Sequence, residues 1–201
     1  MRRVLLTTLV ILTTVTVMPA VGAAADGPAF DCRKAQGEAQ ALICKDPDLA
    51  ALDRQLDEVY RAALSKAKKD KSALRADQDE WAKIRDACAK DPDAMPACLG
   101  RSYQARVGEL QALYDLAPSK GPYTFDCANG AGSIVVKYFH TEPASARLQR
   151  GGETVVAWSE PGAKGSKFVG HDVTFLNKGM SAQVAWRNEK LNCEVRSPPA
   201  K

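Results

Sequence analysis

The hydrophobic pattern of this 201-residue chain changes its period near residue 118, and that change constrains the fold class. Before it, apolar residues recur every three or four positions, as between Leu49 and Ala63, which predicts amphipathic helices. After it, apolar and polar residues alternate, which predicts strands with one buried face. We therefore expect an α+β protein with a helical domain at 28–117, a linker at 118–121 and a β domain at 122–197.

Local signals place the helices of the first domain. A short helix is expected at about 35–43, and Asp46-Pro47 predicts the start of a longer one. An acidic N-cap followed by proline at the first helical position is a frequent helix beginning. Further helices are expected at about 72–89 and from about residue 97. Together these segments predict a small, all-helical unit.

The second domain alternates apolar and polar residues in short stretches that turn signals separate. Asn129-Gly130, Gly151-Gly152 and Lys178-Gly179 are examples of these signals. Seven or eight short strands at a spacing of about 8–12 residues predict a small antiparallel barrel or sandwich. We take a small antiparallel β-barrel of seven or eight strands as the expected fold.

The first 25 residues have the features of a secretory signal peptide. Arg2 and Arg3 precede an apolar stretch at 4–17, and Ala23-x-Ala25 predicts cleavage before residue 26. The stretch is too short and too rich in threonine to be a membrane anchor, and no cysteine lies near the cut to carry a lipid. We expect a soluble periplasmic or secreted protein without a membrane anchor.

The six cysteines predict disulfides, because an even number in an exported chain indicates oxidised pairs. Four lie in the first half and two in the second, so pairing within each half is the economical arrangement. A bond between the last two would close a loop of about 67 residues and stabilise the β domain by several kcal/mol. The pairing of the first four stays open. These residues are Cys32, Cys44, Cys88, Cys98, Cys127 and Cys193.

Metal, cofactor and nucleic-acid sites are not expected. The chain lacks a C-x-x-C motif, and its two histidines, His140 and His171, are far from any cysteine. Residues 26–117 hold 15 Lys and Arg against 17 Asp and Glu, whereas residues 118–201 hold 11 against 7. The second half is too weakly and diffusely basic to indicate nucleic-acid binding.

Several motifs of the first domain occur together over residues 30–114. They are Phe30-Asp31-Cys32, Ile43-Cys44, Leu49-x-x-Leu52-Asp53-x-x-Leu56-x-x-x-Tyr60, Gln78-x-x-Trp81-x-x-x-Arg85-Asp86-x-Cys88, Cys98 and Arg106. This set resembles the N-terminal domain of the LprI lysozyme-inhibitor family, and the resemblance implies lysozyme inhibition.

Asp53 and Arg85 could suggest catalysis, but we interpret them as an ion pair between facing helices that fixes their register.

A second set of motifs covers residues 121–196. It consists of Tyr123-Thr124-x-x-Cys127, Gly165-x-x-Phe168, Phe175-x-x-Lys178-Gly179 and Cys193. These motifs resemble the membrane-bound lysozyme inhibitor of C-type lysozyme, or MliC-like, family. The resemblance implies that a loop of this domain enters the catalytic cleft of a C-type lysozyme, which would be the protein partner.

The same resemblance indicates the residues of that loop. Lys178 is the first candidate for binding lysozyme, Lys164 and Ser166 follow, and Lys167 and Phe168 would contact or support the rim. The chain departs from the family pattern at three positions. Lys164 stands where serine is expected, Phe168 where tyrosine is expected, and Leu176 where tryptophan is expected.

Two other functional classes compete with inhibition. A non-catalytic module that binds other envelope components, or acts in stress, would need no lysozyme, and the altered serine position favours it. An enzyme is not expected, because the neighbouring pair His171-Asp172 has no nucleophile at a spacing typical of a catalytic site. Ser166 lies near His171 in sequence, but we interpret this proximity as a coincidence. The expected function is therefore an exported, non-catalytic lysozyme inhibitor.

Overall fold

A computed structural model describes residues 27–163 and 166–196, and it confirms an α+β protein of two domains. A helical domain with two disulfides precedes a closed eight-stranded barrel in these described ranges. The expected signal peptide at 1–25 and Lys164 lie outside the described residues.

The described part of the helical domain contains four α-helices. As predicted, Asp46 caps α2, because its Oδ1 accepts hydrogen bonds from the backbone N–H groups of Asp48 (2.9 Å) and Leu49 (3.1 Å). Short 3₁₀ turns connect α2 to α3 and follow α3. None of the helices in the described ranges is long and apolar enough to cross a membrane. The helices are α1 (Gly37–Lys45), α2 (Pro47–Lys66), α3 (Lys71–Asp86) and α4 (Met95–Leu113).

Disulfides hold the edges of the helical domain, and they pair within each half of the chain as predicted. Cys32–Cys44 joins the N-terminal segment to α1, and Cys88–Cys98 joins the turn after α3 to α4. The core between the helices is aliphatic with one buried tyrosine. Its fully buried large side chains are Ile43, Leu99, Tyr103 and Leu110.

The expected direct ion pair between Asp53 and Arg85 is wrong, because a tyrosine hydroxyl lies between them. The Tyr103 hydroxyl donates to Asp53 Oδ1 at 2.8 Å and accepts from Arg85 Nη1 at 3.2 Å. Arg85 also donates to its neighbour Asp86, from Nη2 at 2.7 Å and from Nε at 2.9 Å. Three helices, α2, α3 and α4, therefore meet at one buried polar bridge.

The barrel is a meander in which each strand pairs antiparallel with the next and β1 closes on β8. Closure pairs Cys127 with Cys193, and these two residues form the predicted disulfide. Aromatic and aliphatic side chains fill the interior, with Phe125 and Phe175 in edge-to-face contact at 5.3 Å. Within the described ranges the strands are β1 (Ser119–Cys127), β2 (Ser133–Phe139), β3 (Ser145–Arg150), β4 (Glu153–Ser159), β5 (Lys167–Gly170), β6 (Val173–Asn177), β7 (Ser181–Trp186) and β8 (Glu189–Val195).

Most of the segment 118–121, expected as a linker, is part of the barrel. Strand β1 begins at Ser119, and Lys120 pairs with Tyr138 of β2. The register then shifts before Tyr123, where Gly121 has a φ of +101° that a residue with a side chain rarely adopts. The bulge lets a Gly-Pro sequence that reads as a turn continue as a strand.

The two domains contact each other through α4 and the outer face of β2, β3 and β4. Ala112 of α4 packs with Phe139 and Val156, which point away from the barrel interior. Arg147 of β3 donates to the carbonyl oxygens of Ala112 (2.8 Å) and Leu113 (3.0 Å), which are free at the C-terminal end of α4. The helical domain is thus fixed against one side of the barrel.

Candidate functional site

Lys178 lies in the tight turn that joins β6 to β7. Its side chain is exposed, and its backbone N–H donates to the carbonyl oxygen of Ser181 at 2.8 Å, which closes the turn. Gly179 follows with a φ of +82°, in the left-handed region that glycine adopts at no steric cost. The exposed Lys178 makes no ion pair with another described residue, so its ammonium group is available to a partner.

Asn177 holds this turn in one shape. Its Oδ1 accepts from the backbone N–H of Gly179 at 2.9 Å, an Asx turn. Its Nδ2 donates to the hydroxyl of Tyr138 at 3.1 Å, which ties the turn to β2. Burial raises the pKa of Tyr138 to about 12, so this phenol stays neutral at physiological pH. The turn is therefore fixed from both sides by a single side chain.

The neighbouring connection between β4 and β5 carries the other sequence-predicted residues. The backbone N–H of Asn177 donates to the carbonyl oxygen of Ser166 at 2.7 Å, so this connection and the Lys178 turn lie side by side. The Ser166 hydroxyl donates to the carbonyl oxygen of Ala163 at 2.6 Å and is half-buried. The hydroxyl is thus engaged in its own turn.

Lys167 and Phe168 take supporting positions. The ammonium group of Lys167 pairs with Glu160 at 2.9 Å and is only partly exposed. Phe168 is 3% exposed, and its ring lies 5.4 Å from that of Tyr138 inside the barrel. Of the predicted lysozyme-binding residues that the structure describes, Lys178 is the most available for contact.

Sequence reasoning missed the residues that position the turn. Asn177 precedes Lys178-Gly179, and the N-x-G spacing is a signal for an Asx turn that could have been read. Tyr138 is 39 positions from Asn177 in sequence, and only the folding of the barrel brings its hydroxyl to Asn177. Met180, the last residue of the turn, is 68% exposed and presents an apolar surface beside the lysine.

The weak enzymatic alternative has no geometric support. Ser166 and His171 flank β5 and therefore lie at opposite ends of the barrel. His171 is almost fully exposed and lies 3.4 Å from Asp172 in a surface turn. A nucleophile and its base must lie within hydrogen-bond reach, and these two residues do not.

Comparison with known proteins agrees with the two-domain architecture. Residues 32–110 match a family described as lysozyme inhibitor LprI, and residues 125–192 match one described as membrane-bound lysozyme-inhibitor of c-type lysozyme, MliC. The chain is 33% identical over 144 residues to lipoprotein LprI of Mycobacterium tuberculosis, an alignment that covers 71% of each protein. The chain belongs to the LprI family. Lipoprotein LprI of Mycobacterium bovis matches with the same identity and coverage.

The alignment of 144 residues is longer than either half of this LprI-family chain, so it includes parts of both domains. Both matched families are described as lysozyme inhibitors. Membership therefore supports an inhibitory function and a lysozyme as the partner. It also agrees with the order of the two domains that the motifs predicted.

Proposed function

We propose that this protein is an exported inhibitor that blocks the catalytic cleft of a C-type lysozyme with its Lys178 turn. The observation that carries the proposal is the exposed ammonium group of Lys178 at a turn fixed by Asn177. The protein acts by occupying the cleft and performs no chemistry of its own. Its site of action is the periplasm or the medium, after removal of residues 1–25.

The chemistry of the target explains why a lysine suits this position. Glycoside hydrolases of the lysozyme type hold two carboxyl groups on either side of the bond they cleave. An ammonium group that enters between them forms charge-assisted hydrogen bonds, which are stronger than neutral ones. Gly179 has no side chain, so the residue after Lys178 adds no bulk to the tip of the turn.

The fixed turn also lowers the cost of binding. A flexible loop would lose conformational freedom when it became ordered in the cleft, at about 0.5–1.5 kcal/mol for each immobilised side chain. Asn177 and Ser181 already hold the backbone around Lys178 by hydrogen bonds. The free protein therefore presents the turn in a shape close to the one that binds.

The connection between β4 and β5 forms the rim of the proposed interface. Lys164, in place of the serine of the family pattern, adds a second ammonium group to this arm. Ser166 and Lys167 stabilise the arm through their bonds to Ala163 and Glu160. Phe168 supports the arm from the barrel interior.

The test measures inhibition of cell-wall lysis by a purified C-type lysozyme, with the intact, oxidised protein as inhibitor. We expect Lys178→Ala to weaken inhibition tenfold or more, which corresponds to at least about 1.4 kcal/mol. Lys190→Ala is the matched control, because Lys190 is exposed on β8 at the opposite end of the barrel. The control should inhibit like the wild type.

A non-catalytic envelope-binding module is the second candidate. The observation that favours it is the engaged Ser166 hydroxyl, together with Lys164 at the position of the family's serine. No inhibition by the wild-type protein at micromolar excess over lysozyme would select this second candidate. Equal inhibition by the wild type and Lys178→Ala would instead retain inhibition but reject the lysine turn as its cause.

A further inference from the structure

A groove with a volume of ≈ 1220 Å³ separates the helical domain from the open end of the barrel. One wall comes from α2 and α4, and the other comes from β1, the β2–β3 connection and the β6–β7 turn. Ligand sites occur preferentially at domain interfaces and in the mouths of β-barrels, and this groove lies at a position of both kinds. Most of its lining lies outside the Lys178 turn, although Gly179 and Met180 of that turn border the groove.

The helical wall carries unengaged amide groups. Gln104 and Gln111 lie seven positions apart on α4 and share one face with Val107, and Gln55 adds a third amide from α2. Their side chains make no hydrogen bond to another described residue. Each amide offers two donors and one acceptor, so this wall can bond a ligand with many neutral polar groups.

The barrel wall is aromatic. Tyr123 is 43% exposed and lies 6.0 Å from the ring of Tyr138, which also lines the groove. The Tyr138 hydroxyl accepts from Asn177, and its own proton is not donated to another described residue. Aromatic rings with a polar tip bind ligands that have one apolar face and one polar edge.

The charge of the lining narrows the ligand class. Its acidic and basic side chains are Lys120, His140 and Glu142, which form no patch of one sign that would select an anion or a cation. A purely apolar ligand would leave the three glutamine amides of the helical wall without partners when it excluded water, at about 1–3 kcal/mol for each buried group. A neutral ligand that is polar at its edges fits this lining best.

We propose that the groove between the two domains binds a neutral oligosaccharide. The hydroxyl and acetamido groups of such a chain pair with the amides of Gln55, Gln104 and Gln111. The faces of its sugar rings pack on Tyr123 and Tyr138. The groove volume of ≈ 1220 Å³ exceeds the range of about 300–1,000 Å³ that is usual for ligand pockets, so more than one ring can be accommodated, and Gly179 and Met180 border the groove at the base of the Lys178 turn.

The test titrates the intact, oxidised protein with the trimer of N-acetylglucosamine, without lysozyme, by calorimetry. We expect binding by the wild type and a loss of tenfold or more in affinity for the double variant Gln55→Ala/Gln104→Ala. Both glutamines are exposed, so their truncation leaves the fold intact, which circular dichroism verifies. Gln183→Ala is the matched control on the outer face of β7, and its affinity should match that of the wild type.

A second readout locates the ligand without any variant. Amide resonances of Gln111, Thr141 and Gly179, which line the groove, should shift in nuclear magnetic resonance spectra as the trimer is added. No heat and no shift up to the solubility of the trimer would overturn the proposal. So would shifts confined to other residues, or binding of n-octanol in the groove without binding of the trimer. Because lysozyme is absent, these outcomes are independent of whether Lys178 is needed for inhibition.

Discussion

The buried bridge at Tyr103 allows a quantitative test of how the helical domain is held together. Its hydroxyl donates to Asp53 and accepts from Arg85, and the tyrosine itself is completely buried. Burial raises the pKa of Tyr103, so the hydroxyl stays protonated and can donate to Asp53. Tyr103→Phe removes both hydrogen bonds and leaves the ring and its edge-to-face contact with Trp81 at 5.4 Å in place.

The expected loss of stability in Tyr103→Phe depends on the hydrogen bonds that Asp53 and Arg85 keep. Asp53 keeps a hydrogen bond from the backbone N–H of Ala29 at 2.7 Å, and Arg85 keeps its bonds to Asp86. Hydrogen bonds to charged groups contribute about 1.5–3 kcal/mol each, and the retained contacts reduce the loss. We therefore expect Tyr103→Phe to lower the free energy of unfolding of the helical domain by about 2–4 kcal/mol.

Urea unfolding followed by circular dichroism at the helical signal measures this loss. Tyr60→Phe is the control, because Tyr60 lies in the same domain and its hydroxyl makes no hydrogen bond to another described residue. The control should change the free energy of unfolding by less than about 0.5 kcal/mol. If both variants lie within that limit, the Tyr103 hydroxyl does not stabilise the helical domain, and the role assigned to the bridge is refuted.

Two further predictions concern the interface and the turn. Partial burial raises the pKa of Asp115, but the hydrogen bond from Lys137 and the charges of Arg147 and Lys137 together lower it below its ordinary 3.8. The ionised Asp115 therefore stabilises the folded protein above pH 3.8, and this stabilisation is lost as the pH falls through the lower pKa of the folded state. In thermal unfolding, Asp115→Asn should remove the part of the fall in melting temperature at acid pH that Asp115 causes. Asn177→Ala should weaken lysozyme inhibition about fivefold, because the binding-competent shape of the turn becomes less populated. The melting temperature of this variant should fall only slightly. Unchanged inhibition would show that the fixed turn does not contribute to binding.

Much of the architecture could be predicted because it depends on local signals. The N-cap at Asp46 and the helical spacing after it located α2 correctly. The alternation after residue 122 predicted seven or eight short strands, and the described barrel has eight. Pairing of the cysteines within each half followed from their distribution along the chain.

The buried bridge and the domain contact could not be predicted in the same way. Tyr103 is fifty positions from Asp53, so its place between two charges depends on how three helices pack. One sequence pattern could have predicted the contact between the barrel and α4. In β4, Val156 and Trp158 are apolar and lie on the face opposite to Ala157. Apolar residues on both faces of a strand indicate that both faces are covered.

The domain contact gives the proposed inhibitory turn a fixed neighbour. Arg147 caps the end of α4 while Phe139 packs beneath it, so the helical domain is held beside the barrel end that carries Lys178. Gly179 and Met180 belong both to the turn and to the border of the groove between the domains. A lysozyme that received Lys178 would therefore also have to accommodate the edge of the helical domain. Target choice would then depend on both domains, although the lysine comes from only one.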